Sequence, residues 1–268
     1  MKTSIELPQW LDNLIFEQLG AKYCRCNSDM TVIDWDKNDV LNYLGTYFPR
    51  SYAESYCIFE KYFKYDMDGF CDKTELSILD FGCGTGGEII GLITVLFKYF
   101  KNLKKVRIVA IDGNLYALQL YEKVLNEFMK RIDFEIESHS AHICIDDFYD
   151  LSILNNVIKR KFDIIISFKA ICEFVTKQQF EKENAYKHIT GILLPKLTDW
   201  GLMLLVDVTT YNNTSQEWLP KMLDRGLAAT GCYVTDKNEG YNQTYIISHS
   251  RTTCDASRVA WRMITKKK

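Results

Sequence analysis

The sequence has little of what would set it apart from an ordinary globular chain. Four prolines and 14 glycines among 268 residues are too few for a collagen-like or Pro/Gly-rich tract, and 47% hydrophobic content excludes a disordered chain. Long apolar runs are also missing. No window approaches the ~18 uninterrupted apolar residues of a membrane span, and Met1 to Pro8 lacks a basic stretch followed by an apolar one. No membrane association is expected, and the cytoplasm is the default location. There is no excess charge of one sign: 33 basic against 35 acidic residues leave a net of −2. No global basic field exists to neutralise phosphates, although a local basic patch stays open. Histidines are scarce, at 139, 142, 188 and 249, and none is spaced with Cys or carboxylates as a metal site requires, so no metal is expected. Nine cysteines (24, 26, 57, 71, 83, 144, 172, 232 and 254) contain no C-x-x-C pair, which indicates a reducing compartment. Sequons at Asn212, Asn213 and Asn242 would matter only on a secretory route.

What is present changes character near residue 75. Before it, 9 to 20, 36 to 47 and 51 to 65 carry apolar residues at helical spacing, with seven basic against 11 acidic residues in the first 70. Residues 1–75 are therefore expected to form a helical, mildly acidic cap. Residues 76–268 alternate short β-branched runs with longer amphipathic segments, the pattern of βαβ units. Strands are expected at Ser77–Phe81, Val106–Ile111, Phe134–Glu137, Phe162–Phe168 and Gly201–Thr209. The helices between and after them are expected at 86–101, 114–130, 147–159, 178–197 and 215–230. Tyr245–His249 and Arg258–Ile264 are too close for a helical crossover, so an antiparallel pair ends the chain. The fold class is α/β: a Rossmann-like, doubly wound, mostly parallel sheet with an antiparallel last strand and an N-terminal helical cap.

The richest stretch is Asp80-Phe81-Gly82-Cys83-Gly84-Thr85-Gly86-Gly87, a glycine turn between a buried strand and a helix. Gly82 permits the tight turn, Gly84 lets backbone approach a ligand, and Gly86 lets the helix pack closely. Gly82, Gly84 and Gly87 also fit G-x-G-x-x-G, which leaves nicotinamide and flavin ligands open. Asp80 argues against them, because a carboxylate there repels pyrophosphate but accepts hydrogen bonds from a cationic amino group.

Asp80, Gly82, Gly84 and Gly86 resemble the first motif, D/E-x-G-x-G-x-G, of the class I S-adenosylmethionine-dependent methyltransferases. The resemblance covers about residues 76 to 265. It implies S-adenosylmethionine as cofactor, held by Asp80 and the turn residues including Cys83. Asp112, closing the second strand before Gly113, would bind both ribose hydroxyls. Asp146 or Asp147 would meet the adenine amino group. Phe162-Asp163-Ile164-Ile165-Ile166-Ser167-Phe168-Lys169 resembles the fourth-strand motif, which puts Ser167 and Phe168 near the methionine part and the acceptor. Leu193-Leu194-Pro195-Lys196-Leu197 followed by Gly201 to Asp207 is similar to the family's next passage. A fainter similarity, carried by Tyr43 to Glu54 and Ser167 to Phe174, is to methyltransferase-like proteins of the small ribosomal subunit, without their late cysteine cluster.

Arg50, in the cap, is a candidate to engage the cofactor carboxylate. The nine aromatics from Tyr43 to Tyr65 read mainly as packing of cap on core. Glu88 suits the helix dipole, and Asp146 or Asp147 can equally cap the expected helix. His142 and His249 are possible bases or structural histidines, and Lys169 and Glu173 are further near-site charges. The expected activity is methyl transfer by direct displacement to an unidentified small-molecule or protein acceptor. The alternatives are a ribosomal RNA or ribosome acceptor, or a catalytically silent cofactor-binding module. A D/N-P-P-Y/F tetrapeptide, used in methylating base amino groups, is absent after the fourth strand.

Overall fold

The computed structural model describes residues 3–25, 35–65, 69, 70, 72–174, 184–213 and 215–266, without the side chains of 173 and 174. The chain starts with strand β1 (Ser4–Glu6), a short helix α1 (Gln9–Asp12) that continues as a π-helical turn (Asn13–Gln18), and a long helix α2 (Lys37–Tyr65). An alternating region follows: β2 (Glu75–Phe81), α3 (Gly87–Tyr99), β3 (Lys105–Asp112), α4 (Leu115–Met129), β4 (Glu135–His142), α5 (Leu154–Val157), β5 (Phe162–Phe168), α6 (Ile171–Phe174) and α7 (Ala185–Leu193). The last part holds β6 (Leu197–Val208), the two-residue strands β7 (Tyr211–Asn212) and β8 (Glu217–Trp218), α8 (Leu219–Ala228), β9 (Tyr233–Lys237), β10 (Gln243–His249) and β11 (Thr252–Thr265).

The main sheet has the order β1-β10-β11-β6-β5-β2-β3-β4, with β9 beside β11. Strands β6, β5, β2, β3 and β4 are parallel neighbours, whereas β11 runs antiparallel to both β6 and β10. The order steps outward from β2 in both directions, so the crevice at the strand ends lies beside β2 and β5, where open α/β sheets bind ligands. The central strands read as near-continuous apolar runs because both faces are covered. One face packs with α2, α3 and α4 around Ile78, Ile108, Ile164 and Leu204; the other carries Leu79, Val109, Ile165 and Met203 under α7 and α8.

Several segments depart from expectation: β4 runs past the expected Glu137 to His142, and β1, inside the expected helical cap, joins the main sheet beside β10. The two expected cap helices over 36–47 and 51–65 are one 29-residue helix, with Pro49 inside it. The expected helix over 147–159 shrinks to Leu154–Val157. Asp147 Oδ1 accepts from the Tyr149 N–H and Asp150 Oδ1 from the Ser152 N–H, so local side-chain turns win over helix. The helix expected from 215 starts at Leu219, where Pro220 suits its first turn, and the β7–β8 hairpin precedes it. The beginning of the expected 178–197 helix, with Cys26 and Cys71, lies outside the described residues.

Helix α2 lies on α3 in close backbone contact. A Cβ on Gly87 would sit 2.4 Å from the Phe48 carbonyl oxygen, and one on Gly91 2.6 Å from that of Tyr52. Ser55 Oγ donates to the Glu88 carbonyl at 2.7 Å, and Phe63 packs edge-on against Phe100. The aromatics from Tyr43 to Tyr65 thus serve largely as packing: Phe48, Tyr52, Phe59, Tyr62 and Phe63 are all buried.

Candidate cofactor site

The chain leaves β2 at Phe81 and turns through Gly82, Gly84 and Gly86, all at positive φ (73°, 47° and 83°), conformations that cost other residues strain. The turn is tied to β3 by the N–H groups of Gly82 and Cys83, which donate to the Ile111 carbonyl at 2.8 and 3.0 Å. Space is as restrictive as torsion. A Cβ on Gly82 would fall 2.2 Å from the Ala170 Cβ, and one on Gly86 would meet the Tyr121 ring of α4 at 2.4 Å. A Cβ on Gly84 would come within 3.1 Å of the Tyr43 ring of α2.

Asp80 lies fully buried at the end of β2, and neither carboxylate oxygen has a hydrogen-bond partner among the described residues. Burial, with the Glu88 and Asp112 carboxylates nearby, holds its carboxyl well above the usual range. Thr85 Oγ1 and Ser167 Oγ are likewise buried and unpartnered. Asp112, at the end of β3, is half-buried: Oδ2 accepts from the Gly84 N–H at 2.7 Å and Oδ1 from the Asn114 N–H at 2.8 Å. Burial raises its pKa, and these two N–H groups pull against that rise. Asn114 caps α4 by accepting from the Ala117 N–H, and its amide donates to the Trp35 carbonyl at 3.2 Å, which joins the chain before α2 to this corner.

The other expected residues sit in four places. Gly113 is beside Asp112, its carbonyl 2.9 Å from His142 Nε2. Ser167 and Phe168 end β5 next to β2, and Lys169 follows with φ 55°. Lys169 Nζ makes a buried 2.8 Å ion pair with Glu54 of α2, whose other oxygen accepts from Ser257 of β11. Asp146 and Asp147 are exposed beyond β4. Arg50 is turned elsewhere: its Nε donates to both Asp255 oxygens at 2.9 and 3.1 Å and its Nη2 lies 2.8 Å from Oδ1, on a strand three places from β2. His249 stacks on Phe16 with its Nε2 3.7 Å from Asp255, so it belongs to that same buried group.

Glu88, which the sequence suggests as a dipole partner, is 4% exposed, and burial pushes its carboxyl up to about 8 against the pull of its own N–H and the Lys169 ammonium. Sequence reasoning also missed Thr85, Tyr43 and Glu54. Thr85 had a signal, a hydroxyl inside the glycine turn. Tyr43 and Glu54 stood in the segment that carries the fainter family similarity, but only the packing of α2 brings them to this corner.

The residues fit a ligand with several donors. An ammonium group would satisfy the two Asp80 oxygens, and the spare acceptor capacity of Asp112 suits hydroxyls. No protein-family model matches the sequence, and no curated protein matches it. Solved structures do share the fold. Magnesium protoporphyrin IX methyltransferase from Synechocystis PCC 6803, with bound S-adenosylmethionine, superposes with a TM-score of 0.50 at 11% identity, over 97% of this chain and 90% of that one. A protein whose structure is described under conversion of a disulfide bond into a thioacetal group in echinomycin biosynthesis gives 0.50 at 13% identity, over 80% and 82%. This chain shares the α/β fold of these two structures.

Proposed function

We propose that this chain is an S-adenosylmethionine-dependent methyltransferase, passing a methyl group by direct displacement to a small-molecule or protein acceptor. The observation that carries the reading is Asp80: a fully buried carboxylate with no partner for either oxygen among the described residues, at the end of the strand that opens the glycine turn. Leaving such a group unpaired costs several kcal/mol unless a cation completes it. Bound S-adenosylmethionine would supply an activated methyl on a sulfonium.

The chain's own residues then bind and align. Asp80 takes the ammonium group, Asp112 the ribose hydroxyls, and the turn from Gly82 to Gly86, including Cys83, lies along the ligand beside Gly113. Ser167 and Phe168 close the side towards the acceptor, and either Asp146 or Asp147 faces the adenine. We assign Arg50 to Asp255 rather than to the cofactor carboxylate. The Tyr43 ring against Gly84 keeps water from the turn, and exclusion of water with alignment is most of what a direct displacement needs. The net charge of −2 and the acidic first 70 residues favour a small or protein acceptor over ribosomal RNA.

Calorimetric titration with S-adenosylmethionine and S-adenosylhomocysteine tests the reading. Micromolar binding by the wild type, lost in Asp112→Ala, followed by labelled-methyl transfer to a small-molecule or protein fraction, is the expected result. Binding without transfer to any fraction would leave a silent cofactor-binding module, and absence of binding by folded protein would remove the cofactor itself.

A further inference from the structure

Three aromatic rings stand exposed together at the end of β6. Tyr211 and Trp218, on the β7–β8 hairpin, are 40% and 42% exposed, and Tyr241, before β10, is 41% exposed. Trp218 lies between the other two, 5.1 Å from Tyr211 at 70° and 5.5 Å from Tyr241 at 80°. Near-perpendicular rings form a corner in which a third flat ring can stack on one wall while meeting the other edge-on, the two arrangements that aromatic pairs prefer.

The corner is held in place. The Tyr211 hydroxyl donates to Gln216 Oε1 at 3.1 Å, and the Tyr241 hydroxyl to the Thr209 carbonyl at 3.0 Å. The Leu219 N–H donates to the Thr210 carbonyl, and Glu217 pairs with Arg225 of α8 at 2.6 Å. Gln216 takes φ 53°; the other described non-glycine residue at positive φ is Lys169, beside the cofactor turn. Strained backbone held by its surroundings concentrates at functional sites. Rings fixed this firmly yet left about 40% exposed do little for the core, and they bind without losing side-chain freedom.

Position and charge narrow the occupant. Asp80 is in register with Ile166, and Ile166 with Leu204, so the end of β6 at Val208 lies two strands across and four residues further along. At strand spacings of about 4.8 Å and rises of about 3.3 Å that is roughly 16 Å from Asp80, enough for the reactive half of a cofactor and an acceptor beyond it. The atoms holding the rings are amide and carbonyl groups, and the Glu217 carboxylate is taken by Arg225. That suits an uncharged ligand rather than a cation.

We propose that the Tyr211–Trp218–Tyr241 corner is the acceptor subsite and that the acceptor carries a flat, uncharged aromatic ring. The proposal rests on the methyltransferase reading for the word acceptor, and on the corner alone for the ring. The test is binding of 2-naphthol, its saturated counterpart decahydro-2-naphthol, and tetramethylammonium to the full chain, by calorimetry and ligand-observed NMR, with S-adenosylhomocysteine titrated separately. The expected result is 2-naphthol binding that weakens about tenfold in Trp218→Ala and in Tyr211→Ala, with S-adenosylhomocysteine affinity and the circular dichroism spectrum unchanged, and decahydro-2-naphthol binding at least as much weaker. Equal binding of the saturated compound, preference for tetramethylammonium, or 2-naphthol binding indifferent to both substitutions overturns the proposal. Failure of S-adenosylhomocysteine to bind while 2-naphthol binds overturns the methyltransferase reading and leaves the ring site standing.

Discussion

Replacing Asp80 by Asn is expected to raise stability while removing cofactor binding. The carboxyl is fully buried, unpartnered among the described residues, and raised well above 3.8 by burial and by Glu88 and Asp112. Above that value the unfolded chain gives up the proton while the folded protein keeps it, so folding takes up a proton and stability falls as pH rises. Over each pH unit in which this holds, the loss is about 1.4 kcal/mol. Asn keeps the shape and has no such proton, so the variant's advantage grows from pH 4 upward for as long as the folded wild type holds the proton. Losing a charge-assisted hydrogen bond to the ammonium group removes roughly 1.5–3 kcal/mol of binding, a factor of about 10 to 150. Urea unfolding of wild type and variant at pH 5, 6 and 7, with calorimetry of S-adenosylhomocysteine, reads both effects. A variant no more stable than wild type at pH 7, or one that binds as tightly, would refute the account of Asp80.

Glu88→Gln should flatten part of the same pH profile: a carboxyl raised from 4.5 to about 8 contributes stability that is complete below 4.5 and lost as pH climbs through 8, as thermal melts across that window will show. Asp255→Ala strands the Arg50 guanidinium, itself 7% exposed, and is expected to cost about 3–5 kcal/mol in urea unfolding, whereas the double change Arg50→Met with Asp255→Leu should cost far less. Gly82→Ala, at φ 73° and 2.2 Å from the Ala170 Cβ, should lose about 2–4 kcal/mol and disorder the turn, read as a lower melting temperature and lost cofactor affinity. Asn114→Ala removes the α4 cap and the link to Trp35, a loss of about 1 kcal/mol measurable by urea unfolding.

The core strands were legible because burial on both faces writes itself as β-branched runs: Phe162–Phe168 begins and ends where the spacing predicts. The glycine turn was legible because its torsions exclude side chains. The rest depended on contacts between distant segments. Nothing local marks Glu54 as the partner of Lys169, or turns Arg50 towards Asp255, 205 residues away. The helix expected over 147–159 failed through Asp147 and Asp150, whose carboxylates compete for backbone N–H groups that a helix would have used. The segments 36–47 and 51–65 read as separate, whereas packing on Gly87 and Gly91 keeps them one helix through Pro49.

That proline divides α2 by rate of opening. Pro49 has no N–H to give to the Gly45 carbonyl, so the ladder of amides loses a rung between the stretch that touches Gly84 through Tyr43 and the stretch fastened to α3 through Ser55 and Phe63. Amide exchange should therefore be slow from Ser51 to Phe63, close to the limit set by global unfolding, and faster from Asp39 to Phe48. Lifting of the first half alone, on its own clock and with the second half seated, would uncover the Gly84 corner of the turn.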